Sequence, residues 1–335
     1  MRHATMLDLA ERHGVRLPET LSSERPVRLA AADERGWFRF QRLYDTARSV
    51  LQHPDDVRRL VSEVAQDERA DGSGWLEIQV DPTSYAPHVG GLTPALEIVL
   101  DAAREAGRTT SCQVGVIVAA SRIRHPLDAR TLARLAARHA GDGAGTVIGF
   151  GLSNDERRGT TADFAPAFAI AARAGLASLP HSGELLGPDH ITETLRSLHP
   201  RRLGHGVRAG EDPAVLRRLV DDGIALEVCP ASNVALGVYP TLDRVPLGAL
   251  VGAGARIALG ADDPLLFGPR LAAQYQAARD VHGFDDGALA TLARSSIEAS
   301  LAPDAVKGRL LAGVDGWLAA PGDTPASTFR PISPL

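Results

Sequence analysis

The sequence predicts an α/β protein, a (β/α)8 TIM-like barrel short of one strand, with extra helices over one mouth. Three observations lead there. Short apolar or β-branched runs alternate with Ala-, Leu- and Arg-rich helical segments, which is the rhythm of repeated βα units around a parallel sheet. Ionisable residues gather at the C-terminal ends of several of these runs, where barrel enzymes place their chemistry. A doubly wound sheet would instead carry a Gly-rich phosphate turn after its first strand, and the nearest candidate, "GFGLSN" (149–154), lacks the third glycine.

Along the chain, "MRHATMLDLAERHG" reads as an amphipathic helix without the apolar core of a signal peptide. The helical stretch "RGWFRFQRLYDTARSV", followed by "HPDDVRRLVSEVAQDERADG", is too long for a simple crossover and is expected to cover one mouth of the barrel. The strand candidates are 74–80, 110–120, 145–153, 176–184, 201–207, 224–232 and 255–263. Helices are expected at 94–107, 129–140, 163–175 and 211–223, three of them closed by a glycine that permits a left-handed C-terminal cap. Residues 1–319 read as one domain. The stretch 320–335, "APGDTPASTFRPISPL", has little to bury and reads as a poorly ordered tail.

Composition narrows the partners. A net charge of −5 and a pI near 6.1 argue against a nucleic-acid surface, which would show clustered Lys and Arg. The only cysteines, Cys112 and Cys229, lie inside apolar runs, so a disulfide framework is not expected and a reducing cytoplasm fits. No apolar run approaches the ~20 residues of a membrane helix. These features point to a cytoplasmic protein acting on a small molecule, with no nucleic-acid or membrane partner and an oligomeric state left open.

Five ionisable residues carry the expected chemistry. His181 and Glu184 end the fourth run in "HSGE", His205 sits between two glycines at the end of the fifth, and Asp262 and Asp263 end the seventh; Asn233 follows the sixth. Imidazole and carboxylate together suit Zn²⁺ or a neighbouring divalent ion, which would lower the pKa of bound water towards ~7. Glu184 would then serve as a proton carrier. Each motif also has a plain structural reading. "HSGE" could be a strand-ending turn with a solvated Glu, His205 a strand cap, and Asp262–Asp263 a helix N-cap with Pro264 at the first helical position.

Taken together, "HSGE" (181–184), "RLGHG" (202–206), "LEVCPASNV" (226–234) and "ALGADDP" (258–264) resemble, in order and spacing, the adenosine/adenine deaminase branch of the metal-dependent amidohydrolases. The similarity runs from about Thr5 to about Ala319 and includes "LEIQVDP" (76–82) and "GFGLSNDE" (149–156). The resemblance implies a single divalent metal, with Zn²⁺ the expected ion, held by His181 and Asp262. It implies that Glu184 protonates N1 of a purine, that His205 orients and deprotonates the attacking water, and that Asp262 binds both metal and hydroxide. Asp263 would hydrogen-bond N7, while Asn154 and Gly183 would contact the substrate. The implied reaction is hydrolytic deamination of adenosine or deoxyadenosine to inosine or deoxyinosine with loss of ammonia. Adenine, a modified aminopurine, or a non-catalytic purine-binding relative remain alternatives. The other zinc deaminase class is excluded, because it needs a C-x-x-C that two isolated cysteines cannot supply.

The chain departs from the family in places. The H-x-H pair of the first barrel strand is absent, and Met1 aligns just beyond it. Either a further strand lies upstream or half the metal shell is lost, so weak or no activity is expected of the sequence as it stands. Asn154 stands where adenosine enzymes usually have Gly beside the purine N3, Gln79 where Arg is common, and "GADDP" replaces "NTDDP". Trp37, Phe40, Leu43 and Tyr44 resemble the family's lid over the sugar, with an amphipathic core stripe as the other reading.

Overall fold

The computed structural model describes residues 1–23 and 33–320. Seven parallel strands form one sheet in chain order: β1 (Trp75–Val80), β2 (Gln113–Ser121), β3 (Val147–Ser153), β4 (Ala177–Ser182), β5 (Arg202–His205), β6 (Ala225–Val228) and β7 (Ile257–Leu259). Parallel neighbours require crossovers, and helices such as Leu92–Thr110, Pro126–Arg138, Pro188–Leu198 and Pro213–Asp221 supply them. The sheet curls as seven strands of a (β/α)8-type barrel, with β1 and β7 as its edges. In β2 the residues Val114, Val116, Ile117 and Val118 are all buried, as expected of a strand covered on both faces.

The later strands are shorter than the sequence suggests. The run expected as a strand to residue 232 breaks at Val228, and Pro230 opens the helix Pro230–Ala235, because proline has no N–H to lose at a first helical position. Likewise β7 ends at Leu259, so Asp262 and Asp263 lie in the loop after the strand, not at its end. The edge of β7 is closed locally. The N–H groups of Ile257 and Leu259, alternate residues pointing away from β6, donate to Ser295 Oγ (2.9 Å) and Ser296 Oγ (3.2 Å) of the helix Asp286–Ala299. Paired edge groups are poor templates for a further strand.

The N-terminal helices sit where the sequence placed them. His3–His13 buries Thr5, Met6, Leu9 and Ala10, and His3 forms its first turn with its Nε2 2.8 Å from the Leu21 carbonyl oxygen. The helix Glu34–Arg48, capped by Asp33 whose side chain accepts the Gly36 N–H, lies over the mouth; its Phe40 stacks on Phe267 with centroids 5.8 Å apart. Trp37 and Phe40 are buried, as the core-stripe reading expects, and also line the cavity below. Both cysteines are free and buried. The expected tail lies, beyond Ala320, outside the described residues. Among the described residues no helix is long and apolar enough to cross a membrane.

Candidate active site

The residues singled out by sequence meet at the mouth. His181 lies on β4, His205 is the last residue of β5, and Asn154, Glu184, Asp262 and Asp263 follow strand ends; all line one cavity of about 1700 Å³. A small-molecule pocket usually measures ~300–1000 Å³. The excess arises because the cavity continues between the edges β1 and β7, touching Gln79 on one and Ala258 on the other.

The local backbone is bent to bring these groups together. His205 (φ +63°), Asp262 (φ +56°) and Asn154 (φ +79°) are three of the five non-glycine residues with left-handed φ among the described residues. His, Asp and Asn tolerate this region better than most, and such strain clusters at functional sites. Gly183 (φ +82°) has a packing reason: a Cβ there would stand 2.6 Å from Ile191 Cδ1 and 3.2 Å from the Gly206 Cα.

At the centre, His205 Nε2 faces Glu184 Oε1 at 3.5 Å and Asp262 Oδ2 at 4.0 Å. Glu184 is 4% exposed and its Oε1 has no hydrogen-bond partner. Burial pushes its carboxyl up to about 8, reinforced by Asp262 and Glu156 and opposed by His205. For His205, burial favours the neutral ring, but the carboxylates of Glu184 and Asp262 outweigh it and the net shift is upward. His181 goes the other way. Burial and the neighbouring His205, whose ring centroid is 5.1 Å away, hold it at about 3, so it is neutral and its lone pair is available.

Asp263 occupies an N-cap position before Pro264–Phe267, as its structural reading anticipates, yet its side chain makes no capping bond. Burial, followed by Asp262, raises it to about 7. Asp262 Oδ2 accepts the Ser232 hydroxyl at 2.6 Å. Asn154 donates Nδ2 to Gln41 Oε1 (3.2 Å), tying the end of β3 to the covering helix Glu34–Arg48.

Several neighbours had no role assigned to them in the sequence reading. Cys229 brings its thiol beside His205 and Asp262, and the donor atoms of the three lie within 4.8 Å of one another. Asn233, fully buried, places its amide 3.4 Å from His205 Nδ1 while its Oδ1 has no partner. Rotating that amide by a half turn pairs the oxygen with an Nδ1–H and leaves the His205 lone pair on Nε2, towards Glu184. Behind His181, Arg122 donates to Thr161 Oγ1 (2.9 Å) and to the His181 carbonyl (2.9 Å), and His190 bridges Thr161 (3.1 Å) and Ser182 (3.0 Å). These partners are separated by up to 59 residues, so no spacing rule marks them.

The donor set fits a divalent ion of the Zn²⁺ kind. His181 Nδ1 is buried without a partner, and His205, Cys229 and Asp262 bring imidazole, thiol and carboxylate donors within 4.8 Å of one another at the ends of β5 to β7, a group from which His181 on β4 stands apart. His181 and Asp262 alone fall short of the three protein ligands of a catalytic zinc, and His205 and Cys229 are the further donors nearest Asp262.

Comparison with known proteins agrees with this geometry. A sequence profile described as "Adenosine deaminase" matches residues 1–317. A Streptomyces coelicolor protein, provisionally named an adenosine/adenine deaminase, is 62% identical over 325 residues, 96% of this chain and 94% of its own. The crystal structure of adenine deaminase from Arthrobacter aurescens superimposes with a TM-score of 0.86 at 31% identity, covering 95% of each chain. An amidohydrolase from Burkholderia ambifaria, solved with bound Zn, shares the fold at a TM-score of 0.83 and 22% identity, over 95% of this chain and 87% of that one. Whole-chain profile, close relatives and barrel architecture coincide, and this chain belongs to the adenosine deaminase family, whose members are metal-dependent hydrolases.

Proposed function

We propose that this protein catalyses hydrolytic deamination of a 6-aminopurine, replacing the C6 amino group by oxygen and releasing ammonia. The observation that carries the reading is Glu184: a buried carboxyl held at about 8, unpartnered at Oε1, and 3.5 Å from a histidine inside the one cavity that also holds His181, Asp262 and Asp263.

The ring carbon C6 is a weak electrophile, so protonation of N1 is needed to draw electrons from it. Glu184, protonated at neutral pH, is suited to give that proton. His205, whose Nε2 faces Glu184 Oε1 at 3.5 Å and Asp262 Oδ2 at 4.0 Å, takes the proton of the attacking water. Asp263, pushed up by burial and then by Asp262 and so able to keep its proton, would donate a hydrogen bond to N7. Asn154, on the cavity wall, would contact the substrate, while Gly183, whose missing Cβ makes room for Ile191, shapes the turn that carries Glu184. His181 and Asp262 would hold the metal, with His205 or Cys229 beside them. A divalent ion there, Zn²⁺ first, acidifies water so that a nucleophile exists at neutral pH.

Adenosine and deoxyadenosine suit this chemistry, and one feature favours free adenine as a second reading. Asn154 puts a side chain where the adenosine enzymes usually have Gly, and its amide is engaged by Gln41, reducing the room for a ribose beneath the covering helix. The test is turnover of adenosine, deoxyadenosine and adenine by Zn²⁺-supplemented protein, followed by ultraviolet absorbance and ammonia release. A folded protein supplied with an upstream H-x-H strand that retains zinc and converts none of the three overturns the reading. The ratio of kcat/KM for adenosine and adenine, in the native protein and in Asn154→Gly, decides between nucleoside and base.

A further inference from the structure

We propose that Glu156 is a positioning residue for this reaction: its buried carboxylate gathers the backbone of Glu184, Leu185 and Leu186 and thereby aims the Glu184 carboxyl into the cavity. The inference rests on the deaminase reading for its kinetic consequence, while the clamp itself stands on geometry.

Glu156 follows β3 in the stretch "SNDE" and is 2% exposed. Its Oε1 accepts the Glu184 N–H at 3.1 Å, and its Oε2 accepts those of Leu185 at 3.0 Å and Leu186 at 2.7 Å. Three successive N–H groups converging on one carboxylate form an anion-holding concavity built from backbone alone. They belong to the segment between the end of β4 and the helix Pro188–Leu198, a segment entered through the left-handed Gly183 and making none of the ladder bonds of a strand. With no regular element to hold it, the turn has its carbonyls held by Arg208, which donates its backbone N–H to Gly183 (2.9 Å) and its guanidinium to Leu185 (2.6 Å), and its N–H groups held by Glu156; the Glu184 side chain leaves from the first residue that Glu156 clamps.

The surroundings explain why the group is a carboxylate. Burial outweighs the rest and holds Glu156 above its ordinary value, while the backbone N–H groups of Leu186 and Glu184, then Arg122 and His205, pull it part of the way back. His190 Nδ1 lies 3.8 Å from Oε2, yet burial holds that ring at about 4, so it is neutral and occupied by Ser182 and Thr161. Backbone dipoles therefore carry most of the stabilisation. Glutamine could supply one acceptor oxygen, but its NH₂ would face N–H groups that need an acceptor.

The experiment compares Glu156→Gln and the charge-retaining Glu156→Asp with the native chain, each supplied with Zn²⁺. For E156Q the expected result is a fall in kcat of about 10–100-fold with KM little changed, because a displaced proton donor costs rate more than binding. E156D should fall between E156Q and native. Amide hydrogen exchange at 184–186 should accelerate in E156Q and stay native in the distant strand β2. Native kcat together with native exchange at 184–186 overturns the proposal, as does a loss expressed only in KM. Should E156Q fail to fold, E156D alone decides by the same two readouts. If the native chain turns over no aminopurine, the functional reading fails separately, and exchange then judges the clamp: unchanged protection at 184–186 refutes it, and selective loss there supports it.

Discussion

The two ends of the sheet are built for different tasks. β1, β2 and β3 run six, nine and seven residues, whereas β5, β6 and β7 run four, four and three. β2 and β3 contain no ionisable side chain and bury Val114, Val116, Val118, Phe150 and Leu152 completely. The short strands give way early to irregular turns: His205 is the last residue of β5, and the turns after β6 and β7 hold Cys229, Asp262 and Asp263. A long ladder fixes the frame; a short one frees backbone to adopt the left-handed φ seen at His205 and Asp262. Stability and chemistry are therefore separated along the chain, and substitutions at the two ends should fail in different ways.

The largest effect belongs to the chemical end. Glu184→Gln should lower kcat by roughly 10²–10⁴-fold, the usual worth of a positioned proton donor. Its thermal midpoint should hold or rise, since a buried ionisable group with an orphan oxygen is removed. Steady-state rates beside a melting curve check this, and a rate within a few-fold of native removes Glu184 from the mechanism. At the framework end, Phe150→Ala should behave oppositely. The ring is fully buried and meets Phe168 edge-on at 5.1 Å, so about 3–5 kcal/mol of stability should be lost in denaturant titration. Below the midpoint kcat should stay near native, and a collapse of kcat in folded protein would erase the distinction between the two ends.

A pH profile sharpens the contrast further. Glu184 acts in its protonated form, so the rate should decline as pH rises through about 8, and the decline should vanish in Glu184→Gln. The same shift bears on stability. The native state keeps a proton that the unfolded chain releases near 4.5, so this group's contribution falls progressively from there to about 8 and is flat above. A rate profile with no basic limb around 8 contradicts the assignment. The smallest effect is expected at the β7 edge, where Ser296→Ala removes the acceptor of the Leu259 N–H and a contact with Tyr275 (3.4 Å). About 1 kcal/mol of stability should go, with kcat little changed. A catalytic loss comparable to that of Glu184→Gln would mean that the edge belongs to the site.

How far the sequence could be read follows the same division. The apolar runs in β2 and β3 declare themselves, and their observed ends lie within three residues of expectation. Around residues 229–232 the apolar pattern continues but the strand does not, because Pro230 starts a helix; the proline was the overlooked signal. Asp263 shows a motif read correctly in place and incompletely in role, since it stands at the N-cap yet leaves its carboxylate unbonded to the helix. Glu156 lies inside a quoted motif but had no assigned task, because its partners are 28 to 30 residues away on the next strand's loop.

By itself the sequence determined the repeated βα order, the family and the identity of the ionisable groups at the strand ends, because hydrophobic period and motif spacing are local properties of a chain. Only the tertiary structure decided which of those groups share a dry cavity, which carboxyl is held protonated, and that Glu156, Asn233 and Cys229 stand beside them. The reason is that burial and through-space charge depend on how distant turns fold against one another, and at β4 to β7 those turns follow left-handed residues and side-chain clamps rather than any period in the sequence.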